Sequence, residues 1–318
     1  MIKANNKLQN KQPIKNEGLR LARRVWDYRE MYLLLLPAFA LVFFFNYIPM
    51  YGIIMAFQDV GFGDKFGQSD WVGLYHIKRF LNSIWIDRLL RNTVLTAMIG
   101  MLCQWPFGLF LAFLLHNSTN RYIKKATQSL TYIPHLFSTV VIINVFRILL
   151  GYDNGLINQL IEGLGLDRIH FLTEGEWVIP IYVISGIWAH TGADAVVYIG
   201  ALSGVDEQMM EAARIDGASK WRIIWNIQLP SIMPTVITML ILSMGNLFNV
   251  GAEKMLLLQN DLNLENSEII STYVYKHGVK GALYGYSAAI GLFQNIVNLT
   301  MMLIVNWLGD KFAGMSVI

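Results

Sequence analysis

Residues Asp206 to Pro230 read DEQMMEAARIDGASKWRIIWNIQLP, and their order dictates two short helices joined by a turn. Asp206 supplies a side-chain acceptor ahead of a helix-forming run. Gly217, directly after Asp216, tolerates the left-handed conformation that ends a helix. Ser219 then caps a second helix carrying Trp221, Ile224, Trp225 and Gln228 on one face, and Pro230 is expected to disfavour its simple continuation. Ala212 and Ala213 keep the first helix thin enough for close approach by another protein, and Glu211 places a carboxylate beside them. The segment has the shape of a docking elbow.

Long uncharged runs flank the elbow. Trp177 to Ala193, continuing past Asp194 to Val205, precedes it, and Ile223 to Ala252 follows. Met31 to Phe57, Asn92 to Asn120, Ala126 to Phe146 and Gly281 to Gly309 are of the same kind. Each reaches across about 30 Å of hydrocarbon at about 1.5 Å per residue. The expected architecture is all-α: a polytopic membrane domain of six transmembrane helices over residues 31–318, with 1–30 a basic tail and 206–230 the elbow. Composition agrees, because 54% of the 318 residues are hydrophobic and only 15% charged, against about 25% charged in soluble domains. A net charge of +3 gives no support to a nucleic-acid partner.

Lys and Arg set the orientation. The first thirty residues, the connection holding Arg121, Lys124 and Lys125, the elbow and the C-terminus together carry fifteen, against nine on the opposite side. Both termini and the elbow are therefore expected in the cytoplasm, with the tail an anchor at an anionic leaflet. Gln58 to Arg91, Gly151 to Glu176 and Glu253 to Lys280 form the opposite connections, too long for simple turns and expected to include short interfacial helices. Trp71, Trp85 and Trp177 suit interfacial anchors there. Cys103 is the only cysteine, the six histidines show no pair at ligand spacing, and no phosphate-binding glycine motif occurs, so the chain has neither a nucleotide nor a metal site that its motifs reveal.

The elbow resembles the EAA loop of binding-protein-dependent ABC importer permeases of the type I class: Glu211, Ala212 and Ala213, then Gly217, then Ile227, Leu229 and Pro230 stand at that family's spacing, with Asp216 ahead of the glycine. Asn46 to Phe57, Trp71 to Leu74, Arg91 to Val94, Tyr132 to His135 and Tyr198 to Asp206 are similar to the carbohydrate-uptake branch, the LplB-like permeases for oligosaccharides. The resemblance implies a multi-pass permease subunit in the bacterial cytoplasmic membrane. It implies a second permease subunit, expected to be a different chain, two ABC ATPase subunits, an extracytoplasmic solute-binding protein and an oligosaccharide substrate. The elbow would couple ATPase motion to alternating access. No catalytic residue and no cofactor are expected in this chain, since ATP with Mg would be used by the ATPases. A permease for a peptide, polyamine or phosphate is the alternative, because the loop reports coupling rather than cargo. A secondary transporter is another, disfavoured because only Asp194 and Arg147 are charges embedded in the runs.

Candidates for the translocation path are Trp188, His190 and Asp194 in the fourth run, Asn246 and Asn249 in the fifth, and Gln294 and Asn295 in the sixth. A sugar that has lost its water needs hydrogen-bonding groups and flat apolar faces. Amides also bond helix to helix, so both roles stay open for them. Asp194 either faces cargo or pairs with Arg147 or a partner subunit.

Overall fold

The computed structural model describes residues 24, 26–61, 63, 64, 67–245 and 251–313. Among them there is no strand, only a single bridge between Gln58 and Trp71. Two compact units are distinguished, Met1–Ile53 and Ile54–Ile318. The tail ahead of residue 24 lies outside the described residues.

The first apolar run forms α1, Arg29–Phe57, with a π turn at Phe43–Tyr47 and a 3-10 end over Tyr51–Phe57. Phe43 stacks between Phe39 and Tyr47, at 6.4 and 6.1 Å between ring centroids. None of its apolar window is buried within the chain, as befits a helix whose solvent is lipid.

In the second unit, α2 (Tyr75–Leu81) leads to the 31-residue α3 (Ile86–His116). α4 (Arg121–Tyr132) is capped by Asn120, whose side chain accepts from the N–H groups of Tyr122 and Ile123. The third run was expected to be one span, Ala126 to Phe146. Instead, α4 with its 3-10 extension to Leu136 and α5 (Thr139–Leu150) meet at a bend of 102°. The cause is local: Pro134 removes a backbone donor, Phe137 and Ser138 are extended, and the Ser138 hydroxyl starts α5 by accepting from Val141 N at 3.4 Å. α6 (Leu156–Gly163) follows, then α7 (Val178–Leu202), α8 (Glu207–Ile215) and the helix α9 (Lys220–Met244). Three short helices, α10 (Ala252–Leu258), α11 (Leu264–Ser267) and α12 (Ile270–Tyr275), precede the final α13 (Tyr284–Ala313).

By length and composition α1, α3, α9 and α13 suffice to cross a membrane, and the bent pair would be a fifth span. The remaining expected span, the fourth run, corresponds to α7, whose 25 residues are long enough but include His190, Thr191 and Asp194. Glycines bring α7 against its neighbours. A Cβ on Gly108 of α3 would lie 2.6 Å from Asp194 Cβ, and one on Gly192 would lie 2.2 Å from Thr131 O of α4. Bare backbone is what lets membrane helices approach this closely.

Two apolar clusters hold opposite ends of the bundle. Phe113, Tyr198, Leu202, Ile232 and Val236 join α3, α7 and α9 near the elbow. At the other end, Phe80, Leu89, Ile270, Tyr273, Tyr286 and Ile290 join α2, α3, α12 and α13. That end is also tied by polar bonds. Asn158 Nδ2 donates to Gly151 O and Ile169 O at 3.1 and 3.0 Å, Asn260 and Asn263 donate to Leu172 O, and Asn92 donates to Glu265 O and Glu268 O. The buried Glu268 carboxylate meets Arg88 and Lys276. Each closes a long connection whose backbone groups would otherwise lack partners.

Candidate functional site

The elbow folds by the chemistry its residues announce. Asp206 accepts from Gln208 N at 2.9 Å to start α8. Gly217 has φ +76°, and the bonds Ala218 N to Ala213 O (2.9 Å) and Gly217 N to Arg214 O (3.1 Å) close the helix as a Schellman turn. Ser219 accepts from Arg222 N at 3.4 Å at the start of the next helix. Glu211, Ala212, Asp216 and Gly217 are exposed, with Ala213 half-buried. Met209 and Ile215 extend the exposed face, Ile215 being 86% exposed. α8 thus presents the Glu207 and Glu211 carboxylates beside two uncovered apolar side chains.

The expected break at Pro230 does not occur, because α9 runs through it to Met244. Ile224–Gln228 form a π turn, which places Pro230 in the first turn of the α-helical part, where a missing N–H costs little. The Ser231 hydroxyl donates to Ile227 O at 2.7 Å beside it. Leu229 packs into the cluster of α3, α7 and α9, Ile227 is half-buried, and Pro230 is exposed.

Gln228, which sequence reading placed only as a face residue, is fully buried. Its amide and that of Asn117, just beyond α3, exchange bonds of 2.9 and 3.0 Å, and Gln228 Nε2 also lies 3.3 Å from Met210 Sδ on α8. Three helices are therefore joined behind the exposed face of α8 by one satisfied amide pair.

Among the described residues, cavities lie within the bundle, two of them side by side around Gln104, Tyr182 and His190. The larger, about 340 Å³, is lined by Gln104 and Trp105 of α3, Tyr182, His190, Asp194 and Tyr198 of α7, and Ser243 of α9. The smaller, about 240 Å³, shares Gln104, Tyr182 and His190 and adds His135, Glu253 and Lys254. The imidazoles of His135 and His190 meet edge to face at 5.4 Å. Burial pushes the Lys254 ammonium, on α10 in the connection between α9 and α13, down to about 7.

Of the path candidates, His190 and Asp194 share the larger cavity. Trp188 points elsewhere, against Phe146 at 6.0 Å, and lines neither cavity. Gln294 is buried and donates to Ser271 Oγ at 3.3 Å, while Asn295 is exposed. Asn246 and Asn249 lie outside the described residues. Arg147 donates to Leu257 O, and Asp194 makes no ion pair among the described residues. Sequence reading missed Gln104, Tyr182 and Lys254. The signal for Gln104 was its place as an isolated amide deep in an uncharged run; Lys254 stood in a connection, where a basic residue ordinarily means only solvent. Among the described residues, no three of His, Cys, Asp or Glu come together as a metal site.

The family model described as "Binding-protein-dependent transport system inner membrane component" matches residues 104–314. Protein LplB of Bacillus subtilis (strain 168) is 36% identical over 89% of this chain and 89% of its own length. The polygalacturonan/rhamnogalacturonan transport system permease protein YteP of the same strain is 37% identical over 94% of this chain and 93% of its own. A chain in the crystal structure of a bacterial ABC transporter involved in the import of the acidic polysaccharide alginate superposes with TM-score 0.84 at 32% identity, covering 92% of this chain and 99% of that one. A second structure of a bacterial alginate ABC transporter, in complex with an alginate pentasaccharide-bound periplasmic protein, also has TM-score 0.84 and 32% identity, covering 94% of this chain and 100% of that one.

Proposed function

The chain belongs to the family of binding-protein-dependent transport system inner membrane components; as such it is a multi-pass permease subunit of an ABC importer, and we propose that its cargo is an oligosaccharide. The observation that carries the cargo is the pair of cavities that share Gln104, Tyr182 and His190, the larger lined also by Trp105, Tyr198 and Ser243. Hydroxyl-compatible groups beside flat apolar faces suit a sugar stripped of water. Relatives whose names specify polygalacturonan, rhamnogalacturonan and alginate support the same class.

The working assembly in this reading pairs the chain with a second permease subunit, a different chain, over two ATPase subunits that bind and hydrolyse ATP with Mg. An extracytoplasmic binding protein delivers the sugar. The α8 face of Glu211, Ala212 and Ala213 sits in an ATPase cleft, and the turn at Asp216 and Gly217 with Ile227, Leu229 and Pro230 of α9 passes the motion on. Asp194 and His190 contact cargo. The elbow and both termini are cytoplasmic, a placement supported by the excess of Lys and Arg on that side.

Two experiments test this. Reporter fusions after Lys125 and Lys220 should be cytoplasmic and those after Asp167 and Asn260 external; an external signal at Lys220 would contradict both orientation and coupling. The complex reconstituted with its binding protein should accumulate a labelled oligosaccharide only when ATP is present. Accumulation of a peptide or polyamine, with no sugar taken up, would overturn the cargo.

A further inference from the structure

Away from the elbow, the bundle holds a cation that faces a cavity. Lys254 stands in the first turn of α10. Its Nζ donates to Tyr182 O at 2.6 Å and lies 4.3 Å from the centroid of the Tyr182 ring. It joins no ion pair among the described residues. An ammonium has three donors, so the Tyr182 carbonyl leaves two for the smaller cavity that Lys254 lines.

The space before it is shaped by a glycine. A Cβ on Gly186 would stand 2.2 Å from Gln104 Nε2 and 3.2 Å from Lys254 Nζ, so amide and ammonium converge over one bare stretch of α7. The charged and titratable groups on the surrounding elements are few. α10 adds the exposed Glu253, the turn after α4 adds His135, and α7 adds Tyr182 and His190, with Asp194 on the adjoining larger cavity only; α3 presents Gln104 and α5 presents Thr139 and Ile142. Tyr182 and Asp194 are twelve residues apart on α7, about 18 Å along the helix. The donors Lys254 and Gln104 thus share the smaller cavity with the exposed Glu253 carboxylate, which makes no ion pair with Lys254, while the Asp194 carboxylate lines only the larger one.

We propose that the smaller cavity binds a carboxylate carried by the passing sugar, with the Lys254 ammonium as its counter-ion and the Gln104 amide as a second donor, so that this permease favours uronate-containing oligosaccharides. The inference rests on the oligosaccharide reading and adds the chemical class. Holding an ammonium out of water without a counter-charge is unfavourable. A carboxylate entering between Lys254 and Gln104 restores the charged form through charge-assisted hydrogen bonds. His135 and His190 lend further positive charge only when protonated.

The test is equilibrium binding of radiolabelled trigalacturonate and of galactotriose, its counterpart with each carboxylate reduced to a hydroxymethyl group, to the complete transporter in lipid nanodiscs. Trigalacturonate should bind about tenfold tighter, the worth of one charge-assisted bond. Lys254→Gln should level the two sugars, and Lys254→Arg should keep the preference. In the unmutated transporter, which needs no variant to fold, the preference should fall as pH rises through about 7, because Lys254 is charged below that value and neutral above it; in Lys254→Arg it should persist. Equal binding of both sugars, unchanged by Lys254→Gln and by pH, would overturn the carboxylate site and leave the oligosaccharide reading standing. Binding of neither sugar to the unmutated transporter would overturn the oligosaccharide reading and this inference together.

Discussion

The elbow and the cavities are built in opposite ways. The elbow is a continuous run of twenty-five residues, Asp206 to Pro230, whose caps and turn are satisfied by neighbours two to five positions away. The smaller cavity takes Gln104, His135, His190 and Lys254 from four separate parts of the chain. Local chemistry specifies the first. Helix contacts such as that of Gly192 with Thr131, or of Gly186 with Gln104, specify the second. The shape of the elbow therefore does not depend on the helix contacts that shape the cavities.

The largest effect should come from breaking the packing that builds the cavities. Gly192→Val places a side chain where Thr131 O already lies, 2.2 Å from the Cβ position, and α7 cannot stay where it is. We expect no assembled complex on size-exclusion chromatography, and normal assembly would show that the crossing is not needed. Glu211→Ala should be its mirror image: assembly intact, solute-stimulated ATP hydrolysis lower by about tenfold or more, since a charge-assisted contact to the ATPase is lost. Unchanged stimulation would remove Glu211 from the coupling contact.

Gln228→Leu probes the link between the two regions. It leaves Asn117 Oδ1 without its donor while Nδ2 keeps Phe113 O, at a cost of about 1 kcal/mol for one unsatisfied, half-buried acceptor, measurable as a lower thermal midpoint of the complex. The double change with Asn117→Leu should regain part of that loss, and strict additivity would refute a coupled pair. Gly217→Ala acts on the turn alone. Nothing lies within 4 Å of a Cβ there, so the penalty is only the strain of φ +76°, roughly 1 kcal/mol, again read as a small fall in thermal midpoint. Asp194→Asn should have the smallest effect. With no ion pair in the described chain to break, the midpoint should stay put while uptake of an acidic oligosaccharide rises about twofold as a like-charge barrier is removed. A large loss of stability would reveal a basic partner on the second permease subunit.

Legibility follows the same division. Asp206, Gly217 and Ser219 were readable because an N-cap or a left-handed turn needs one residue type at one place. Pro230 misled, since its effect depends on whether the preceding turn is α or π, and only the geometry of Ile224–Gln228 settles that. Trp188 was named as a path residue on aromatic character, yet its direction around α7 turns it to Phe146. Arg147 was offered as a partner for Asp194 because both are embedded charges, but α10 supplies Leu257 O to Arg147 first. Rotation about a helix axis and the identity of neighbours are long-range properties, and an uncharged run carries little information about either.

Composition, uncharged runs and elbow chemistry by themselves determined an all-α membrane chain with a capped helix-turn-helix elbow on one connection, because hydrocarbon demands internally bonded helices and caps obey local geometry. The tertiary structure alone decided the 102° bend between α4 and α5, the amide pair of Gln228 with Asn117, and the meeting of Lys254 with Gln104 over Gly186. Those features depend on which helix backbones touch, and it is close packing at glycines that brings residues about 70 to 150 positions apart into one cavity.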